Sequence, residues 1–319
     1  MTRIVSLGEV VADIYRQEAT SPVELPFVAR PGGAPANVAV AACRLGAEAA
    51  FVGSVGDDLF GSFILRALRA EGVDTSQVVL QRPPTRTSLA FVEISADGDR
   101  EFTFYRSSPA ADELLGERDV RPEALSGAAF ANFGSIPLIR EPVRSATLRF
   151  ARLAREAGVP VAFDVNFREH LWESVEAARE VVAPLLGLAA VVKLSDDELR
   201  PLLGVEEPEE AARLLLGRGA SLVFVSLGPR GAFYAGEGFS GRVPAFRVEA
   251  VDATGAGDAF LAAALVHLAG RGWGEGEVRE AARRGAAAGA LACTGYGAMS
   301  ALPTREELER LVSASGAPG

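Results

Sequence analysis

Lysine is almost missing from this sequence. Of its 32 basic residues only Lys193 is a lysine, a bias of coding or heat adaptation that carries no function by itself. Cysteine is as scarce: Cys43 and Cys293 stand alone, without a CxxC or a ligand-like spacing. That excludes a disulfide framework and a structural zinc site, and sets a reducing cytoplasm as the expected location. The two histidines, His170 and His267, have no partner at metal-ligand spacing and read as ordinary packed or edge residues. No apolar run has the length of a membrane span and no secretory leader opens the sequence, so no membrane partner is expected. Positive charge is in deficit, with a net charge of −10, which disfavours a nucleic-acid partner. Two phosphate motifs are also missing. GxxxxGK[ST] does not occur, and Gly255-Ala256-Gly257 runs into Phe260 where a dinucleotide fingerprint needs its third glycine.

What remains is an ordinary globular composition, 49% hydrophobic and 23% charged over 319 residues. Short apolar runs at Ile4–Leu7, Ala50–Val55, Phe130–Phe133, Val159–Asp164, Val191–Leu194 and Leu222–Leu227 read as core strands. Between and after them, Pro35–Leu45, Leu59–Glu71, Pro142–Ala157, Ser174–Leu186, Glu209–Leu216, Gly257–Ala269 and Val278–Cys293 read as helices. This alternation predicts an α/β fold, a mainly parallel sheet covered on both faces, as one domain over residues 1–312. Two stretches, 11–30 and 87–106, are strand-like without a helix between strands. They predict a small projecting β-sheet, a lid able to exclude water from a site, with a turn at Ala96-Asp97-Gly98-Asp99. The tail, 313–319, reads as frayed.

The segment richest in chemistry is Asp252-Ala253-Thr254-Gly255-Ala256-Gly257-Asp258. A glycine turn that opens a helix gathers free N–H groups and the positive end of the helix dipole, an anion site. Asp258 places a carboxylate at the same spot. Alone, the segment reads as a capped strand–helix turn; as chemistry, it suits a base that takes a proton from a hydroxyl while the amides of Gly255, Ala256 and Gly257 hold a phosphoryl group. A second segment, Arg30-Pro31-Gly32-Gly33-Ala34-Pro35-Ala36-Asn37, offers close backbone approach at Gly32 and Gly33. The Asn37 amide there matches vicinal sugar hydroxyls.

Together these segments resemble the two signatures of the ribokinase-like (PfkB) carbohydrate kinases. The first is carried by Gly32, Gly33, Asn37, Gly46 and Gly56, the second by Val251–Ala263, with Ala253 a small departure. The likeness extends from Gly8-Glu9 to Leu302-Pro303-Thr304. Within the family it is closest to fructokinases, through Phe102-Thr103-Phe104-Tyr105-Arg106 with Ala111-Asp112, Phe133-Gly134-Ser135-Ile136, Phe163-Asp164-Val165-Asn166-Phe167-Arg168, Val192-Lys193-Leu194-Ser195-Asp196-Asp197-Glu198 and Leu227-Gly228-Pro229-Arg230-Gly231.

The resemblance implies a ribokinase-like three-layer α/β/α domain with a β-sheet lid, and ATP- and Mg²⁺-dependent phosphorylation of fructose. Asp258 would be the base and Gly255, Ala256 and Gly257 the anion hole. Asp13, Gly32, Gly33, Asn37, Phe104, Arg106 and Arg168 would meet the sugar, with either arginine also able to reach a phosphate. Asn166, Lys193, Ser226, Gly228, Gly231, Gly285 and Gly289 would line the nucleotide together with the glycine turn. Glu198 would hold Mg²⁺ through water, and Asp252, Thr254, Ala292 and Gly297 would surround a K⁺. Ala301 stands where relatives often carry serine, and Ser195 where many carry asparagine. The family also implies a homodimer formed through the lid. The rival acceptor is 2-keto-3-deoxygluconate, disfavoured by Leu89-Ala90-Phe91 and Ser107-Ser108-Pro109-Ala110, where its kinases carry tyrosines and a glycine-rich stretch. Ribose and nucleosides follow. A non-catalytic sugar sensor would be expected to have lost Asp258 or the glycine turn; both are intact.

Overall fold

The computed structural model describes residues 2–94, 100–106 and 109–314. The expected turn at Ala96–Asp99, residues 315–319 of the tail and the side chain of Phe104 lie outside them. Ser313 and Ala314, read as part of a frayed tail, instead complete the last helix.

The strands that build the larger sheet are β1 (Arg3–Leu7), β4 (Glu48–Gly56), β5 (Asp74–Gln81), β8 (Phe130–Phe133), β9 (Val161–Asp164), β10 (Val191–Ser195), β11 (Leu222–Ser226), β12 (Ala232–Gly236) and β13 (Phe239–Val243). Their order is β13-β12-β11-β10-β9-β8-β1-β4-β5. From β11 to β5 every pair is parallel, and β12 and β13 extend one edge as an antiparallel hairpin. The apolar runs of β8 to β11 follow from this placement, since a parallel strand covered on both faces has no solvent side.

Two hydrophobic cores fill the two faces. Ile4, Phe130 and Phe224 point to one, shared with α1 (Ala34–Arg44), α2 (Leu59–Ala70), α7 (Ala256–Leu268), α8 (Glu275–Ala292) and α9 (Arg305–Ala314). Val5, Phe163 and Val223 point to the other, shared with α3 (Val143–Glu156), α4 (Val175–Leu186), α5 (Asp196–Leu203) and α6 (Pro208–Gly217). Each such fully buried side chain contributes roughly 1.5–3 kcal/mol. Helix α7 is buried almost all round, between the sheet, α1 and α8. Its alanine-rich sequence lets three neighbours approach, and its position fixes the first turn that bears Asp258.

The smaller sheet has the order β3-β2-β6-β7, from β2 (Val11–Arg16), β3 (Phe27–Gly32), β6 (Leu89–Ile94) and β7 (Arg100–Tyr105). It leaves the body at the carboxyl end of β1 and returns through Gly32 and Gly33 into α1. The carboxyl ends of β1, β9, β10 and β11 open on the same side, the usual location of a crevice in an open α/β sheet.

The sequence pattern does not mark β5, β12, β13, α5 or α9. Strand β5 is half-exposed at the sheet edge and polar. The β12–β13 hairpin carries Gly236, Gly238 and Gly241, a composition that reads as loop until an adjacent strand supplies the pairing.

Candidate active site

Two helix starts meet at the crevice. Gly255 caps α7 with φ +84°, and a Cβ there would press on Ala298 with its Cα at 3.1 Å, so left-handed backbone and lack of space both call for glycine. Asp258 follows in the first turn, 7% exposed. Because α1 packs on α7, the first turns align, and Asn37 Nδ2 donates to Asp258 Oδ2 at 2.8 Å. Burial pushes the Asp258 acid up to about 6, with Asp164 adding to the rise; the Asn37 bond, Lys193 and Arg168 oppose it. A buried carboxylate with a lifted pKa is suited to accept a proton near neutrality.

The expected trio of amides is not uniform. Ala256 N–H turns back to the Ala253 carbonyl at 3.2 Å, whereas no protein acceptor meets the Gly255 or Gly257 amide among the described residues. The turn therefore presents Gly255 and Gly257 as its open donors, and Ala256 shapes it.

Beneath the turn lies a buried ion pair that the sequence reading did not foresee. Register sets Lys193 on β10 opposite Asp164 on β9, and Lys193 Nζ donates to the two Asp164 oxygens at 2.9 and 3.0 Å. A Cβ at Gly257 would fall 2.7 Å from the same Nζ. Lys193 is thus a buried counterion directly under the anion turn. Burial alone would lower its pKa, but Asp164, Glu198 and Asp258 outweigh burial and hold it protonated.

Glu198, in the first turn of α5, is buried beside this pair. Its two oxygens accept the N–H of Ser195 at 2.8 Å and the N–H of Phe167. Burial pushes its acid up, against the pull of Lys193. Asn166, between Asp164 and Phe167, holds φ +42°, a left-handed conformation that asparagine tolerates better than most residues and that collects at functional sites. Arg168 stands exposed beyond it and lowers the acids of Asp164 and Asp258 through space.

On the lid side, Asp13 on β2 is 6% exposed, and a Cβ at Gly32 would collide with its carboxylate at 2.1 Å. Gly33, at φ +109°, lies against the Glu9 carbonyl, which a Cβ would meet at 2.6 Å. Arg106 does not reach out as an unengaged sugar contact. Its guanidinium pairs with Asp112 at 3.2 Å and Glu113 at 3.7 Å, because a 3₁₀ turn over Ala111–Leu114 brings both acids back toward it. Glu9 was not singled out from the sequence. It is 5% exposed, and burial pushes its acid up to about 8. A glutamate between the buried end of β1 and a lid strand was the available signal.

The residues expected to line a nucleotide separate into two groups. Ser226, Gly228 and Gly231 gather at the end of β11, where the Ser226 hydroxyl donates to the Leu194 carbonyl at 3.4 Å and a 3₁₀ turn, Gly228–Arg230, opens β12. Gly289 meets the Ala256 carbonyl, 3.0 Å from where its Cβ would be, and so borders the anion turn. Gly285 is different: a Cβ there would strike the Phe260 ring at 2.8 Å, so it serves the packing of α8 on α7 instead of offering a face to a base. Asp252 binds the Thr254 and Gly297 amides at 2.6 and 2.8 Å, tying the glycine turn to the loop after Ala292. The Gly297 carbonyl accepts from Ala301 N–H at 3.2 Å.

For a divalent metal, no cluster of three or more His, Cys, Asp or Glu side chains suits direct coordination among the described residues. Glu198 spends one lone pair of each oxygen on an amide and keeps the second. That donor set fits an ion carried on phosphates and reached through water.

Comparison with known proteins gives the same family from three directions. Residues 1–305 match the pfkB family carbohydrate kinase description. The chain is 43% identical to fructokinase-1 of Oryza sativa subsp. japonica over 98% of each chain. Among solved structures it is similar to Xylella fastidiosa fructokinase with bound ATP, at 33% identity, TM-score 0.88 and 99% coverage of both chains. It is also similar to Vibrio cholerae O395 fructokinase with bound fructose, ADP and calcium, at 34% identity and TM-score 0.87 over 98% of this chain and 99% of that one. An aligned pair of helix starts, a buried carboxylate at an amide-rich turn and a whole-chain match converge: this chain belongs to the pfkB family of carbohydrate kinases, enzymes that transfer a phosphoryl group to a sugar hydroxyl.

Proposed function

We propose that this enzyme phosphorylates fructose at the expense of ATP, yielding fructose 6-phosphate and ADP. The observation that carries the chemistry is the Asn37–Asp258 contact, which sets a buried carboxylate at the amide-rich start of α7. In this reading Asp258 takes the proton of the sugar hydroxyl as its oxygen bonds to the γ-phosphorus and the bond to the β-phosphate oxygen breaks. The transition state is loose, so the chain's main task is to position groups and stabilise charge. Gly255 and Gly257 donate their amides to the transferring group, and Lys193 beneath them adds a positive charge. Asp13, the Gly33 backbone and Asn37 orient the sugar. Arg168 lies at the open side, where a phosphate oxygen is within its reach.

Magnesium, when bound, neutralises charge on the nucleotide phosphates. Glu198 and Asn166 are the residues that would hold it, through water. The Asp252 turn, with the carbonyls of Thr254, Ala292 and Gly297, is the corresponding place for K⁺; replacing K⁺ by tetramethylammonium should lower the rate, and an unchanged rate would remove this element. Two cysteines without a disulfide accord with a cytoplasmic enzyme.

The choice of sugar is supported by the named relatives and by the local charge around Arg106. A rate panel of fructose, 2-keto-3-deoxygluconate and ribose with Mg-ATP, read as ADP release, tests it. Fructose should lead in kcat/KM; a lead for the acid sugar overturns the reading.

We also assign the lid as a homodimer contact. Phe27, Phe91 and Tyr105 form a ring cluster with centroids 5.3 and 4.8 Å apart, and Phe27 and Tyr105 are 41% and 62% exposed. Exposed aromatic surface beside unpaired strand edges favours association. Light scattering at micromolar concentration should give twice the chain mass, and Phe27→Asp with Tyr105→Asp should halve it. A monomeric parent would contradict the assignment.

A further inference from the structure

Beside the sugar-side turn is a cavity of about 220 Å³ whose polar lining consists of Glu9, Arg106, Asp112, Glu113 and Arg140. Three carboxyl groups therefore face two guanidinium groups. Both guanidinium groups are engaged: Arg106 by Asp112 and Glu113, at 3.2 and 3.7 Å, and Arg140 Nε by the same Glu113 oxygen at 3.5 Å. The acids are themselves anchored. Asp112 also accepts from the Ser88 hydroxyl, and Glu113 Oε2 accepts from Ala110 N–H at 3.0 Å.

Glu9 is the opposite case. Its Oε1 accepts the Ala34 N–H at 3.2 Å, which links it to the turn that carries Gly33. Its Oε2 is buried without a hydrogen-bond partner. A buried polar atom left unmatched is costly unless something supplies the missing bond. Glu9 also interacts electrostatically with Asp258 as well as with Arg106 and Asp112, so the cavity lies within electrostatic reach of the proposed base.

A hydroxyl suits Glu9 Oε2, because it can both donate and accept there and brings no charge. A carboxylate would have to displace Asp112 or Glu113 from Arg106, leaving a buried acid without its cation. We propose that this cavity is a charge filter on the acceptor: Glu9 takes a sugar hydroxyl, while Asp112 and Glu113 hold Arg106 and so withhold it from a sugar carboxylate. The inference rests on the reading of the enzyme as a kinase of a neutral ketose.

The test is the ratio of kcat/KM for fructose to that for 2-keto-3-deoxygluconate, in the parent, Glu113→Gln and Asp112→Asn. Freeing Arg106 should lower the ratio about tenfold in each, chiefly through a lower KM for the acid. Adding Arg106→Met to Glu113→Gln should restore it. Glu9→Leu should raise the KM for fructose about tenfold with a smaller effect on kcat, and Glu9→Gln should recover most of the loss. A parent that prefers the acid sugar defeats the fructose reading itself, and the filter with it. A parent that prefers fructose, with folded Glu113→Gln and Asp112→Asn proteins that keep its ratio, defeats the filter alone; thermal unfolding identifies the folded variants.

Discussion

Asp258→Asn is expected to lower kcat for fructose about 10²–10⁴-fold, the usual range for loss of a positioned general base. The asparagine oxygen can still accept from Asn37, so the aligned helix starts and the KM for ATP should remain near those of the parent. A kcat within a factor of a few of the parent would remove Asp258 from the mechanism. The same residue should set the acid limb of the parent's pH profile. With its acid pushed up to about 6 by burial and Asp164, the base is progressively protonated as pH falls through that value, and kcat/KM should decline with it. Asn37→Ala removes a bond that favours the carboxylate, so its limb should move to higher pH.

Stability gives a second, independent readout. The folded acid near 6 lies above an unfolded aspartate near 3.9, so the native state holds a proton that the unfolded chain has released. The contribution of this group is therefore fully present below about pH 4 and lost as pH rises through about 6. Asp258→Asn removes that loss. At pH 7–8 the inactive variant should be at least as stable as the parent, by an amount on the order of 2 kcal/mol. A variant that is both inactive and strongly destabilised would point to a structural role for Asp258.

The place of Asp258 in a glycine-led first helical turn was legible in the sequence because what defines it is local: two glycines and a helix start within a few residues. Asn37 was legible for the same reason. Their contact was not, since it spans 221 positions and depends on α1 lying beside α7. Lys193 illustrates a deeper limit. The family resemblance implied a nucleotide contact, but the lysine's surroundings depend on the β9–β10 register, which sets it opposite Asp164. Arg106 was implied as a sugar contact by the family resemblance alone. The 3₁₀ turn that returns Asp112 and Glu113 to it has no strong sequence signature. Glu9 and Gly285 fail in complementary ways: a buried acid with an unmatched oxygen and a glycine filled by the Phe260 ring are both properties of the packed interior. The main parallel strands were readable because burial on both faces makes them continuous apolar runs, whereas β5 and the β12–β13 hairpin lie at the sheet edges and lack that mark.

The interior position of Lys193 leads to the other large effect. Lys193→Met should cost about 3–5 kcal/mol of folding stability, the range seen when one partner of a buried ion pair is removed. The lysine and Asp164 side chains are 6% and 5% exposed, so water is poorly placed to replace the missing cation. Asp164, Glu198 and Asp258 would then share one buried region without the charge that offsets them. For a protein whose total stability is about 5–15 kcal/mol, that is a substantial fraction. The loss should also depend on pH with a defined sign. Burial already raises the acids of Asp164 and Glu198 with the lysine present, and its removal raises them further. The native variant then binds protons that the unfolded chain releases above about pH 4, so its stability falls as pH rises from there through the folded values. Denaturant unfolding of Lys193→Met at pH 5 and pH 8 should accordingly give the higher stability at pH 5, by a wider margin than in the parent. Pairing it with Asp164→Leu should recover part of the loss, because Asp164 is the carboxylate in direct contact with the lysine. Recovered stability without recovered kcat would assign Lys193 a part in holding charge under the Gly255–Gly257 turn as well as in folding. A margin no wider than the parent's, or a double variant no better than the single one, would show that the buried carboxylates do not depend on this lysine.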